Sequence, residues 1–178
     1  MLDLAGCWTL SDESGAHVID FDLPGDGISA LVKAGVIPEP YWGRNEYDCR
    51  WVSERDWVAR RVFTHDGSGA ELVVDGLDTV AEVRLNGVIV LSAANVHRRW
   101  RVDVSSALRV GENAVEILFR SPVLRGACPG STNAVSNPLS AGERSDCLQQ
   151  HAAQTAMRFR LGLEHCAGHL RGLRVFSA

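Results

Sequence analysis

The chain lacks any run of the roughly 18 apolar residues that a membrane-spanning helix requires. Its start, MLDLAGCWTLSDESG, has neither a basic cluster nor the apolar stretch of an export signal. The expectation is a cytoplasmic protein with no membrane partner. It also lacks an excess of positive charge: 18 Lys and Arg stand against 22 Asp and Glu, for a formal net charge of -4, and the arginines are scattered. Binding to a phosphate backbone needs a concentrated basic field, so nucleic acid is not an expected partner. Cysteine is sparse and odd in number, with 5 in all (Cys7, Cys49, Cys128, Cys147 and Cys166) and no CxxC pair. That pattern excludes a disulfide scaffold and predicts reduced thiols. With 178 residues, the chain is also too short for a (β/α)8 barrel, which takes roughly 200 residues at the least.

What is present is short-range alternation. Trp8–Leu10 and Val18–Phe21 read as short strands. Ile28–Ala34, with Ile28, Leu31 and Val32 at helical spacing and Gly35 as a stop, reads as a short helix. After Asp56 the runs 57–63, 71–74, 80–85, 88–91, 100–104 and 114–119 alternate apolar and polar residues. Asp66-Gly67, Asp75-Gly76, Asn86-Gly87 and Gly111-Glu112-Asn113 punctuate them as turns. The expected fold is all-β: two packed antiparallel sheets of jelly-roll type over residues 1–123. Beyond Ser121-Pro122 the pattern fails, and residues 124–178 are expected to form an irregular tail.

Three places hold candidate chemistry. The segment VIPEPYWGRNEYDCRW packs Tyr41, Trp42, Tyr47 and Trp51 among loop residues, and loops carry function more often than strands do. Within it Asn45-Glu46 is the kind of Asn-Glu dipeptide that marks the acid/base carboxylate of many retaining sugar hydrolases, yet such hydrolysis needs two carboxylates about 5 Å apart and Glu46 has no evident second member. Asn95 and His97, ahead of Arg98-Arg99-Trp100, offer polar groups for a sugar or a neighbouring domain. Trp8, Trp51, Trp57 and Trp100 lie in or beside alternating runs and are expected to be mostly core. In the tail, Glu164, His165, Cys166 and His169 set two imidazoles one helical turn apart, a spacing that can chelate zinc. No second ligand cluster accompanies them, so neither a metal nor another cofactor is expected.

The segments PEPYWGRNEYDCRWVSERDWVARRVF and DGLDTVAEVRLNGVIVLSAANVHRRWRVDVSSALRVGENAVEILFRSPV resemble the N-terminal sugar-binding-type domain of β-mannosidases of glycoside hydrolase family two. The resemblance runs from near Leu4 to Val123. Gly76-Leu77-Asp78-Thr79, Leu85-Asn86-Gly87, Asn95 with His97, and Leu108 through Gly111-Glu112-Asn113 are its most specific pieces. It implies a galactose-binding-like β-sandwich that precedes immunoglobulin-like domains and a catalytic barrel. The barrel supplies both catalytic glutamates, so this fragment is expected to be inactive alone, with no catalytic residue of its own. Trp42, Asn45, Glu46, Asn95 and His97 are the candidate substrate contacts, a β-mannoside or other carbohydrate the expected ligand, and the missing barrel the expected partner. A free-standing carbohydrate-binding module is the alternative.

The resemblance also implies a tryptophan-rich segment, of type MLRKP followed by FGWDW, near residues 150–165. This sequence does not contain it as written. Codons permitted for Leu161-Gly162-Leu163-Glu164-His165, read one base later, spell Trp-Asp-Trp-Asn and the start of Ile. The same shift over Gln149–Arg174 yields the whole missing segment, and over Asn133–Leu139 it yields TPFPIPY. The expectation is a one-base frameshift between about Leu124 and Thr132, which leaves the tail as out-of-frame translation and His165, Cys166 and His169 without a selected role.

Overall fold

The computed structural model describes residues 2–121 and 123–124, together with the backbone of 161–165. Among the described residues, ten strands form two antiparallel sheets. The strands are β1 (Leu2–Asp3), β2 (Gly6–Asp12), β3 (Val18–Leu23), β4 (Trp57–Asp66), β5 (Ala70–Val74), β6 (Ala81–Leu85), β7 (Val88–Ala93), β8 (Trp100–Asp103), β9 (Val110–Phe119) and β10 (Leu161–His165). One sheet has the order β3-β2-β4-β9-β6-β7 and the other β1-β10-β5-β8. Between β3 and β4 lie the helices α1 (Gly27–Lys33) and α2 (Asn45–Asp48), then a 3-10 turn at Arg50–Val52. The all-β antiparallel architecture is the expected one.

The centre of the larger sheet is the β4–β9 pair, in register from Trp57↔Phe119 to Asp66↔Val110. Period-two alternation puts Ala59, Phe63, Val115, Ile117 and Phe119 inward, with Arg60 and Glu116 outward. Leu72 and Val74 of β5 meet them from the smaller sheet in one continuous core. Two indoles sit deep in it, and both N–H groups have partners: Trp8 Nε1 donates to the Leu4 carbonyl at 2.9 Å and Trp57 Nε1 to the Val52 carbonyl at 2.8 Å. Without those acceptors each ring would bury an unpaired donor.

All six alternating runs after Asp56 are strands, β4 to β9. Some of the turns differ from expectation. Asn86-Gly87 is a two-residue hairpin turn, with φ of 52° and 85°, joining β6 to β7. Asp66-Gly67 and Asp75-Gly76 instead carry the chain from one sheet to the other, because β5 lies in the smaller sheet while β4 and β6 lie in the larger. Gly111-Glu112-Asn113 is no turn at all, since it falls within β9.

The expected helix is α1. Asp26 caps it, accepting from the Ser29 amide at 2.7 Å, and Gly35, at φ 71°, ends it.

Candidate functional site

The chain from Val36 to Asp56 is pinned at both ends by burial, at Ile37 and at Cys49 and Val52. It is braced internally as well. The Asn45 side-chain amide donates to the Glu39 carbonyl at 2.9 Å, the Trp42 amide to the same carbonyl at 3.2 Å, and the Cys49 amide to the Asn45 carbonyl at 3.0 Å. Burial, with the carboxylates of Asp48 and Glu39 nearby, raises the Cys49 thiol above its ordinary range, which keeps it protonated. A rigid frame therefore presents its aromatic side chains to solvent. Trp42 is 79% exposed and Tyr41 76%. Tyr47 lies under the Arg50 guanidinium at 4.5 Å, with that of Arg44 at 5.8 Å.

The end of this segment is held by a cluster that no sequence motif announces. The Trp51 ring stands 4.9 Å from His17 and 6.1 Å from Trp57, with the Arg55 guanidinium 4.8 Å from its centre. Arg55 also reaches Asp12 at 2.6 Å, whose side chain is wholly buried. Burial alone would raise the Asp12 carboxyl. The Ser14 hydroxyl, the His17 amide and Arg55 outweigh it and hold the group at about 2. The contact between Trp51 and Arg55 joins residues four apart, but Trp51 meets His17 and Arg55 meets Asp12 across more than thirty positions of sequence, so only the folded chain reveals them.

The second candidate loop is smaller. Asn95 accepts from the His97 amide at 2.9 Å in an Asx-type turn. Both side chains are exposed. The Arg98 guanidinium stacks 4.2 Å from the Trp100 ring centre, and Arg99 pairs with Asp75 at 2.5 Å.

The register shows how the loops relate. Trp57, Phe119, Ala81 and Ala93 lie in one row across the larger sheet. The segment entering β4, the loop leaving β7 and the chain leaving β9 are therefore rooted at the same end. There Arg120 bridges Asp56 at 2.9 Å and Glu82 at 3.0 Å, and Ser121 donates to Asp56 from its amide at 2.7 Å and to the Ser53 carbonyl from its hydroxyl at 2.6 Å.

Among the expected site residues, Asn45 and Glu46 share α2, and Asn95 and His97 share one turn. Part of the Asn45 amide and the Asn95 oxygen are committed to holding their own loops, which leaves Trp42, Glu46 and His97 as the more available groups. Trp8 and Trp57 are core, Trp51 and Trp100 half-buried, and Trp42 alone of the five is exposed. Glu164 and His165 are placed by backbone only, on the strand β10 rather than on a helix. Cys166 and His169 lie outside the described residues, as do Asn133–Leu139 and most of Gln149–Arg174.

Other proteins share this architecture. The family model described as glycosyl hydrolase 2 galactose-binding domain-like matches residues 8–158. A probable beta-mannosidase of Caenorhabditis elegans is 34% identical over 127 residues, covering 69% of this chain and 14% of that protein. Beta-mannosidase B of Emericella nidulans is 43% identical over 96 residues, covering 51% of this chain and 11% of that protein. The crystal structure of a beta-D-mannosidase from Dictyoglomus thermophilum superposes with a TM-score of 0.66 at 29% identity, covering 72% of this chain and 17% of that one. An exo-chitosanase from Amycolatopsis orientalis has the same fold, with a TM-score of 0.59 at 14% identity over 67% of this chain and 16% of its own. This chain spans only 11% to 17% of the length of the three mannosidases. By family match, fold and similarity together, the chain belongs to the galactose-binding-like domain family of glycoside hydrolase family two, as the N-terminal domain type of β-mannosidase-like enzymes.

Proposed function

We propose that this chain is the non-catalytic domain of an enzyme that hydrolyses terminal β-mannosides with retention of configuration, and that it turns over no glycoside alone. The observation that carries the reading is the similarity to beta-mannosidases at 34% identity over 69% of the chain, set against coverage of only 14% of the relative's length. A retaining mechanism needs two carboxylates about 5 Å apart astride one bond. Glu46, the one candidate the sequence offered, stands exposed on a four-residue helix. The chain's part is then scaffolding and rim contacts, with Trp42 and Glu46 of one loop and Asn95 and His97 of the other facing the sugar. The catalytic barrel is the partner.

The tail belongs to the same proposal. Residues 124–178 are out-of-frame translation, and a one-base correction between about Leu124 and Thr132 restores the segment the family carries. The test is to resequence the gene from the Ser121 codon and translate all three frames. A shifted frame that runs through Trp-Asp-Trp into a barrel-sized extension supports the proposal, and the repaired enzyme should then cleave an aryl β-mannoside. A confirmed frame with no such extension overturns it.

A free-standing carbohydrate-binding module is the second reading, favoured by one feature: Tyr41 and Trp42 project from a braced loop, and solvent-facing rings on a rigid support suit stacking on sugar faces. Titration with mannose and mannobiose, followed by tryptophan fluorescence, tests it. Saturable binding by the chain as it stands favours this reading.

A further inference from the structure

We propose that Asn86-Gly87 is a guarded deamidation site: the fold holds the Asn86 amide back from its own reaction, and loss of its hydrogen bonds to the β9 side of the larger sheet releases it. This is the one Asn-Gly pair in the sequence. The β6–β7 turn calls for it, because both residues take positive φ, 52° and 85°, and glycine adopts such angles without steric cost. The same missing Cβ leaves the Gly87 amide nitrogen unshielded. Among the described residues Gly87 is exposed, and apart from its chain neighbours no atom stands within 4 Å of where a Cβ would be.

The chemistry needs only these two residues and water. The Gly87 nitrogen attacks the side-chain carbonyl carbon of Asn86. A C–N bond forms, the bond to Nδ2 breaks, and ammonia leaves carrying the proton that Gly87 gives up. Water then opens the cyclic imide at either carbonyl, to aspartate or to its iso form.

What stands in the way is how the Asn86 amide is held. Nδ2 donates to the Ala107 carbonyl and to the Asn113 side-chain oxygen, each at 2.8 Å, and Oδ1 accepts from the Ala114 amide at 3.0 Å. These bonds to separate residues fix the amide plane, and expelling Nδ2 breaks two of them. Asn113 does not yield by turning, since it is buried and its own amide is bound to the Arg109 and Gly111 carbonyls. The product does not fit the place the asparagine leaves. A carboxylate has no hydrogen for the Ala107 carbonyl and sets an oxygen against that of Asn113. The change is therefore self-reinforcing: a molecule that opens and reacts does not close as before.

Peptide mass spectrometry of the full chain, held in mildly alkaline buffer with and without denaturing urea, tests this. Asn86 is expected to convert slower by about tenfold or more in the folded chain than in urea. Equal rates overturn the proposal. Asn113→Ala, which takes one acceptor from Nδ2, should raise the rate in the folded chain by about tenfold. Leu10→Ala, a core truncation in β2 of comparable cost to stability, separates local release from global unfolding and should leave the Asn86 rate near the parent's. Equal acceleration in the two variants overturns the proposal. Should Asn113→Ala fail to fold, Asn86→Asp, the aspartate product made directly, still decides: it should lower the folded-to-unfolded ratio by about tenfold or more, and a denaturant midpoint equal to the parent's overturns the proposal.

Discussion

Two of the residues that carry the family resemblance, Asn86 and Asn113, prove to be structural. Asn113 is 1% exposed, and all its side-chain valences are used. Its amide donates to the carbonyls of Arg109 at 2.8 Å and Gly111 at 3.0 Å, and its oxygen accepts from the Arg109 amide and from Asn86, each at 2.8 Å. Asn86 closes the circuit, donating to the Ala107 carbonyl at 2.8 Å and accepting from the Ala114 amide at 3.0 Å. Asn113→Ala leaves several buried partners unpaired and should cost about 2–4 kcal/mol, read as a lower denaturant midpoint at unchanged slope. Asn113→Asp should be as damaging, since a carboxylate cannot donate to two carbonyls. Asp12 gives a pH signature. Its folded value of about 2 lies below the ordinary 3.8, so its contribution is complete above about pH 4 and is lost as pH falls toward 2. The difference is worth about 2 kcal/mol at neutral pH. Asp12→Asn should therefore destabilise the chain at pH 7 by about that much and lose less stability than the parent between pH 4 and pH 2, as followed by denaturation at each pH. Parallel pH profiles for the two proteins would contradict this.

At the scale of elements, β4, β6 and β9 were legible because one face of each is buried and the other more open, which writes period two into the sequence. The segment from Val36 to Asp56 was legible only as a dense group of aromatics. Its α2 and 3-10 turn are too short to display an apolar face, and its anchor at Trp51 draws on His17 and Asp12, which the sequence places far away. Asp75-Gly76 looked like a hairpin turn because local chemistry specifies a turn and not the sheet to which the next strand belongs. β10 was illegible for a different reason. Leu161–His165 shows no extended alternation, yet it pairs with β1 through Leu2↔Leu163 and with β5 from Leu161↔Val74 to His165↔Ala70. Among the described residues it is the strand that joins β1 to β5, so a chain ending at Leu124 should lose the order of the smaller sheet and uncover Leu72 and Val74 on one side. The expected outcome is stronger binding of a hydrophobic dye and a melting temperature lower by about 5 °C or more. Equal stability of the long and short chains would show that β10 contributes nothing to the fold.

For the whole molecule, the question is what the exposed aromatic loop meets. The proposed function allows this loop two occupants: a sugar, or the remainder of a much longer polypeptide. Tryptophan reports the difference directly, because Trp42 is 79% exposed while Trp8 and Trp57 are 2% and 7% exposed. In this chain, Trp42→Phe should remove most of the fluorescence that acrylamide can quench and leave the melting curve nearly unchanged. In the frame-repaired enzyme a sugar-facing loop keeps Trp42 open to acrylamide until mannose is added, which then protects it. If Trp42 is already shielded in the repaired enzyme without sugar, the loop is an interdomain surface, and the assignment of Trp42, Asn45 and Glu46 as substrate contacts fails while that of Asn95 and His97 stands to be tested separately.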